Sequence, residues 1–282
     1  MKPKIYLCDY VSTGVDKRDR MASCKRHGCD GVQPSWGTDF YIGKTNDTRF
    51  DVVECAKSFR LSVDVAHLDY KNGIGNNALY EVGEVCDARI KALEGHIDEC
   101  VANGIRVGVF HHYNSIGVNA PEFSPIVVES VRRIVEHCEK VGFILAIENL
   151  LFDRLPDGID VILEKIQSPN LQICMDAGHA NLFHHDWREF LTKYHERIVC
   201  FHLNNNFGYK PDDPDLGHCH NYLDKGTLDY AEFFALLKKL KCKTEYFLLE
   251  VAPPARPTAK EFDEFVEHNV RLLRYFLHDC FC

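Results

Sequence analysis

Ile173-Cys174-Met175-Asp176-Ala177-Gly178-His179 and, after a helical interval, Ile198-Val199-Cys200-Phe201-His202-Leu203 are short apolar runs that end in ionisable groups. Asp176 and His179 follow the first run, and His202 ends the second. Two similar endings flank them: Leu145-Ala146-Ile147-Glu148-Asn149 upstream and Phe247-Leu248-Leu249-Glu250 downstream. A buried strand that ends in a charge is costly unless a partner or a cation neutralises it. Four such strands in one chain argue for a shared cause.

Strand and helix signals alternate outward from this stretch to both ends of the chain. Strands are expected at Lys4–Cys8, Gly31–Ser35, Leu61–His67, Arg106–His111, Phe143–Glu148, Leu171–Asp176, Ile198–His202 and Tyr246–Glu250. Helical segments fall around Asp16–His27, Phe50–Phe59, Leu79–Ala102, Gly158–Ile166, Trp187–His195 and Asp229–Leu240. Ser124-Pro125 opens a further helix with a cap and a first-turn proline, and Gly142 closes it. Thr258 and Glu261 have capping-box spacing and open the last helix. Strands that read as continuous apolar runs, each followed by a helix, predict an α/β fold: a single (β/α)8 TIM barrel, a closed parallel eight-stranded barrel spanning residues 1–282 as one domain. An open doubly wound sheet would carry a glycine-rich phosphate turn after its first strand, and none is present.

The chain of 282 residues carries a formal charge of −9, which disfavours nucleic acid because phosphate contacts need clustered Lys and Arg. No apolar run is long enough to cross a membrane. The N-terminus enters a strand-like segment at once, without signal-peptide patterning. The thirteen cysteines are scattered, with no Cys-x-x-Cys; Cys8, Cys174 and Cys200 lie inside apolar runs. A reduced, cytoplasmic protein is expected. Cys280 and Cys282 read as a frayed tail.

In a barrel the carboxyl ends of the strands form the active-site face. His67, His111, Glu148, Asp176, His202 and Glu250 fall on that rim, with His179, His218 and His220 close behind in the following loops. Carboxylates with imidazole suit one divalent metal: Mn2+, Zn2+, Co2+ or Mg2+. A lone histidine is more often a hydrogen-bonded structural residue, and a lone strand-end glutamate pairs readily with a neighbouring base. The four-residue set Glu148, Asp176, His202 and Glu250 is what argues for a metal. His184, His185 and His195 read as solvated surface. His112, next to His111, should face the other side of its strand.

The order strand–Glu148, Asp176-x-x-His179, strand–His202, strand–Glu250 resembles the xylose isomerase-like TIM barrels over nearly the whole chain. That superfamily includes sugar epimerases and isomerases and endonuclease IV. The segment from Phe201 to Tyr230 is similar to its His-x-x-Asp-Asn … Asp-x-His-x-x-x-Gly-x-Gly pattern. Asn205 replaces an Asp, His218 stands for the first Asp of Asp-x-His, and Asp224 replaces the first glycine.

The resemblance implies that Glu148, Asp176, His202 and Glu250 hold the metal. It implies that Glu148 and Glu250 also exchange a proton with an open-chain sugar through an enediolate, while His179 binds a substrate hydroxyl. The expected activity is a metal-dependent sugar isomerase or epimerase acting on a small ketose, aldose or derivative. The rival implication is an endonuclease IV-like phosphoesterase with two or three Zn2+, drawing on His67, His111, His179, His218 and His220 as further ligands. Acidic charge and scarce rim cations weigh against it. A third class, a barrel that binds metal or sugar without turnover, would be favoured by loss of either glutamate, and both are present. The expected partner is a small carbohydrate, neither nucleic acid nor membrane. No oligomeric state is read, because helix faces that pack on a barrel resemble those that pack on a second copy.

Overall fold

The computed structural model describes residues 2–9, 14–36, 47–69, 75–113, 124–150, 158–182, 187–208 and 219–281. Eight strands form one parallel sheet: β1 (Lys4–Cys8), β2 (Gly31–Gln33), β3 (Val65–His67), β4 (Val107–Phe110), β5 (Ile144–Glu148), β6 (Leu171–Asp176), β7 (Ile198–Leu203) and β8 (Tyr246–Leu249). Their spatial order is β2-β1-β8-β7-β6-β5-β4-β3. Parallel bridges Gly31↔Ser62 and Ser35↔His67 join the two ends, so the sheet is a nearly closed barrel. Closure leaves the strands little exposed edge and buries them on both faces, which is why they read as continuous apolar runs.

The helices between them are α1 (Lys17–His27), α2 (Arg49–Ser58), α3 (Glu84–Ala102), α4 (Pro125–Val141), α5 (Ile159–Lys165), α6 (Ala177–Leu182), α7 (Trp187–Tyr194), α8 (Tyr230–Leu240) and α9 (Ala259–Phe281). Their ends follow the cap chemistry of the sequence. Ser124 accepts from the Ile126 amide at the start of α4. At the start of α9 the Thr258 hydroxyl accepts from the Glu261 amide at 3.2 Å, while the Glu261 carboxylate accepts from the Thr258 amide at 2.8 Å. None of the described helices is long and apolar enough to cross a membrane.

Several boundaries differ from expectation. β2 and β3 are three residues each, because the chain on either side of them pairs through isolated bridges rather than a continuous ladder. A 3-10 turn at Gly75–Tyr80 precedes α3, and the short α6 starts directly after Asp176. The tail is also not frayed at Cys280: α9 continues to Phe281 and buries that thiol, while Cys282 lies outside the described residues. All twelve described cysteines are free thiols, eleven of them buried as small apolar groups.

Strand register sets the rim. Asp176 pairs with His202 across β6 and β7, and His202 pairs with Leu248, so Glu250 follows two residues further toward the carboxyl end on the same face of β8. A register shift at Ile173/Cys174 brings Asp176 level with His202. Glu148 lies opposite Cys174, two residues below Asp176 on the same face of β6.

Candidate metal centre

Glu148, Asp176, His202 and Glu250 converge at the carboxyl end of the barrel. Each offers one oxygen or nitrogen, and these atoms lie within 4.8 Å of one another. All four residues are buried. The Nδ1 atom of His202 sits 3.3 Å from Glu148 Oε1 and 3.3 Å from Glu250 Oε2. Two glutamates three positions apart in the barrel order therefore flank one imidazole nitrogen.

Three carboxyl groups in so small and dry a volume oppose one another. Burial pushes both glutamates up, but the imidazoles outweigh it and hold them well below the usual carboxylate range: His202 and His111 act on Glu148, His202 and His220 on Glu250. Burial also disfavours charge on His202, yet Glu250 and Glu148 keep its pKa well above the ordinary imidazole value. At Asp176 the same imidazoles, His220 and His202, are outweighed. Burial, then the charges of Glu250 and Glu148, drive it well above the usual range. The protein's own bases thus offset the burial of two carboxylates but not that of the third. A divalent cation at the centre of this O3N set would supply the missing positive charge, so the donor chemistry fits a metal.

The frame around Asp176 is built from amides. Asn149 donates to the Asp176 carbonyl at 2.9 Å and accepts from its N–H at 2.7 Å, fixing the end of β6 against β5. Asn204 donates to both Asp176 carboxylate oxygens, at 3.2 and 3.1 Å. The backbone N–H of His179 donates to Asp176 Oδ1 at 2.7 Å. Asn204 fits because Gly178 has no side chain: a Cβ there would come within 1.8 Å of Asn204 Oδ1.

His179 is buried and lies beside the cluster without entering it. Its Nδ1–H donates to the Asn149 carbonyl at 2.9 Å and lies 3.4 Å from Glu148 Oε1. His220 comes from the loop after β7. The Asn205–Asn221 antiparallel bridge folds that loop back, and His220 Nδ1–H donates to the Glu250 carbonyl at 2.8 Å. Asn205, at the position where the motif has Asp, ties the loop from both ends. Its amide donates to Leu223 and Leu228 carbonyls, and its oxygen accepts from the Asn206 and Leu228 amides. His218 lies outside the described residues, as do His184 and His185.

His67 and His111 form a second group with Glu148. His67 Nδ1–H donates to the Leu68 carbonyl at 3.0 Å, and its Nε2 sits 3.2 Å from His111 Nε2. His111 Nε2 contacts Glu148 Oε2 at 2.9 Å, and burial lowers its pKa to about 4. Glu148 therefore faces His202 with one oxygen and His111 with the other. His112 points elsewhere, as expected: it packs on Tyr80 and Tyr113, and burial lowers its pKa to about 3.

Two features escaped the sequence reading. Gln33, at the end of β2, reaches across the barrel to His202 Nε2 at 3.0 Å. Arg89, on α3, clasps Asp69 and Asn76, and Asn76 in turn donates to the His111 carbonyl. Gln33 ends a strand at the same rim, but a neutral amide draws less notice there than a charge. Arg89 sits in a helix, where nothing in sequence spacing marks it.

The sequence matches the xylose isomerase-like TIM barrel family over residues 21–268. The chain belongs to that family. None of the curated proteins matches it. Among solved structures, a D-tagatose 3-epimerase-like protein is 18% identical over 98% of each chain, with a TM-score of 0.73. D-allulose 3-epimerase from Methylomonas sp., solved with D-allulose, is 16% identical over 97% of each chain, also at 0.73. D-psicose 3-epimerase from Clostridium cellulolyticum H10, solved with D-tagatose, is 11% identical, covering 97% of this chain and 99% of its own, at 0.74. At these identities the likeness is one of fold. Within the family fold, the acidic cluster lies at the barrel mouth, where catalytic groups of such barrels gather.

Proposed function

We propose that this barrel is a metal-dependent isomerase or epimerase of a small ketose, aldose or related sugar derivative. The reading is carried by one observation: two buried glutamates from β5 and β8 flank a single imidazole nitrogen, with Asp176 completing the donor set. Glu148, Asp176, His202 and Glu250 would hold the cation. Bound there, it would polarise a substrate carbonyl and offset the charge that deprotonation next to it creates. Glu148 and Glu250 approach from strands separated by β6 and β7, which suits one carboxylate to take a proton and the other to return one. The imidazoles hold both carboxyl groups well below the usual range, which favours their ionised form. His179, fixed through Nδ1 to the Asn149 carbonyl, is placed to orient a substrate hydroxyl.

The names of the three structural neighbours given above, sugar 3-epimerases or a protein like one, support a ketose as the substrate class. The chain's charge of −9 favours a neutral sugar over a polyanion. The twelve described cysteines, all free thiols, suit a reducing, cytoplasmic compartment. The test is exchange of solvent deuterium into candidate ketoses by the metal-loaded protein. Glu148→Gln and Glu250→Gln should each abolish it while sparing most metal binding. Unchanged incorporation in both variants would sink the proposal.

One observation favours a second reading. His67, His111 and Glu148 form a further buried donor group that shares Glu148 with the first. A multinuclear zinc phosphoesterase would use such a bridging carboxylate. Elemental analysis separates the two readings: one metal per chain fits the isomerase, and two or three zinc ions fit the hydrolase. Cleavage of abasic DNA would establish the latter directly.

A further inference from the structure

We infer that Gln33 is the positioning residue that sets which imidazole nitrogen of His202 faces the carboxylate cluster. The inference rests on the metal site proposed above but not on the reaction performed there. An imidazole can ligate a cation only through a nitrogen without a proton, and the other nitrogen then carries the hydrogen. His202 points Nδ1 at Glu148 and Glu250, each 3.3 Å away, and Nε2 at Gln33 Oε1, 3.0 Å away. An acceptor at Nε2 holds the proton there and turns the Nδ1 lone pair toward the site.

The orientation of the Gln33 amide has independent support. The Cys8 thiol donates to the same Oε1 atom at 2.9 Å. Cys8 and Gln33 are register partners on β1 and β2, which places their side chains on the same face. Two donors converge on one oxygen, so the amide's acceptor end faces His202. Gln33, Cys8 and His202 are all fully buried, so water does not compete for these bonds. Gln33 acts from β2, with β1 and β8 standing between it and β7 in the barrel order. It acts on the metal site through His202.

Zinc is diamagnetic and serves as the probe. In the zinc-loaded protein labelled with 15N-histidine, the His202 ring should show a proton on Nε2 and the zinc-bound shift on Nδ1. Gln33→Met keeps the side chain's length but offers at best a weak acceptor. It should raise the zinc dissociation constant about 10–100-fold, the usual cost of removing the partner of a ligating histidine. Gln33→Glu restores an acceptor and should return affinity to within roughly threefold of wild type with the ring tautomer unchanged. A side chain that merely filled space would give the opposite ranking, with Met tolerated and the buried Glu harmful.

Zinc on Nε2 in the wild type overturns the inference, as does a Gln33→Met protein that folds and binds zinc as tightly as wild type. Should Gln33→Met not fold, zinc on Nε2 in Gln33→Glu overturns it, and zinc on Nδ1 there supports it. A wild-type protein that binds no zinc, manganese, cobalt or magnesium overturns the metal-site reading and this inference with it. Wild-type binding that is indifferent to Gln33 overturns this inference alone.

Discussion

Replacing Arg89 with Met tests whether a clasp outside the carboxylate cluster holds the β3–β4 side of the mouth. The guanidinium is nearly buried and bonds Asp69 Oδ2 at 2.9 Å, the Asp69 carbonyl at 2.5 Å and Asn76 Oδ1 at 2.6 Å. Asp69 follows β3 two residues after His67, and Asn76 donates to the His111 carbonyl, so the clasp ties the ends of both strands to α3. Methionine fills much of the same space but leaves the Asp69 carboxylate in a low-dielectric site without its main counter-charge. Breaking one side of such a buried pair costs about 3–5 kcal/mol. At roughly 2–4 °C per kcal/mol for a domain near this size, the melting temperature should fall by roughly 6–20 °C.

Arg188 provides the control. Its ion pair with Glu232 has both side chains about half exposed, at 47% each, so Arg188→Met should cost less than about 1 kcal/mol. Chemical denaturation and calorimetry measure both variants. Adding Asp69→Asn to Arg89→Met removes the stranded charge and should recover part of the loss, with a coupling energy of about 1–3 kcal/mol. A single-variant loss below about 1 kcal/mol, or strict additivity in the double variant, would refute the reasoning.

Three further outcomes are expected. Manganese or zinc at about 100 times its dissociation constant should stabilise the fold by about 2.7 kcal/mol, raising the melting temperature by roughly 5–10 °C. Chelation should reverse that rise, and Asp176→Ala should lose it. Gly226→Ala places a Cβ 2.1 Å from Asn205 Oδ1 and 2.4 Å from the Asn206 carbonyl, so the loop must shift; calorimetry should show a melting temperature lower by roughly 2–10 °C. His96 lies half-buried with its Nδ1 unbonded, and burial lowers its pKa from the ordinary 6.5. Below that pH the unfolded chain binds the proton more readily than the folded one, so stability falls as pH drops. His96→Leu should flatten the pH dependence of the melting temperature in that acid range relative to wild type.

The sequence determined the barrel and the ionisable residues that converge at its mouth for one physical reason. Buried parallel strands demand continuous apolar runs, and a charge at the end of such a run is too costly to be incidental. Glu148, Asp176, His202 and Glu250 were visible as a set because each breaks the same local rule at the carboxyl end of a strand. The backbone caps at Ser124 and Thr258 were legible because capping is settled within a few residues.

Tertiary structure decided what depends on contacts between distant segments. β2 and β3 shortened because bridges between their flanking segments replaced a regular ladder. His220 reached Glu250 because Asn205 and Asn221 fold the loop back. Glu148 became the shared member of two donor groups because its two oxygens face different histidines, a fact of side-chain orientation that spacing does not encode. Gln33 and Arg89 are neighbours of the site only in three dimensions, more than fifty residues from His202 or carried on a helix. A sequence states the cost of a buried charge locally, but the groups that meet that cost are assembled only by closing the barrel.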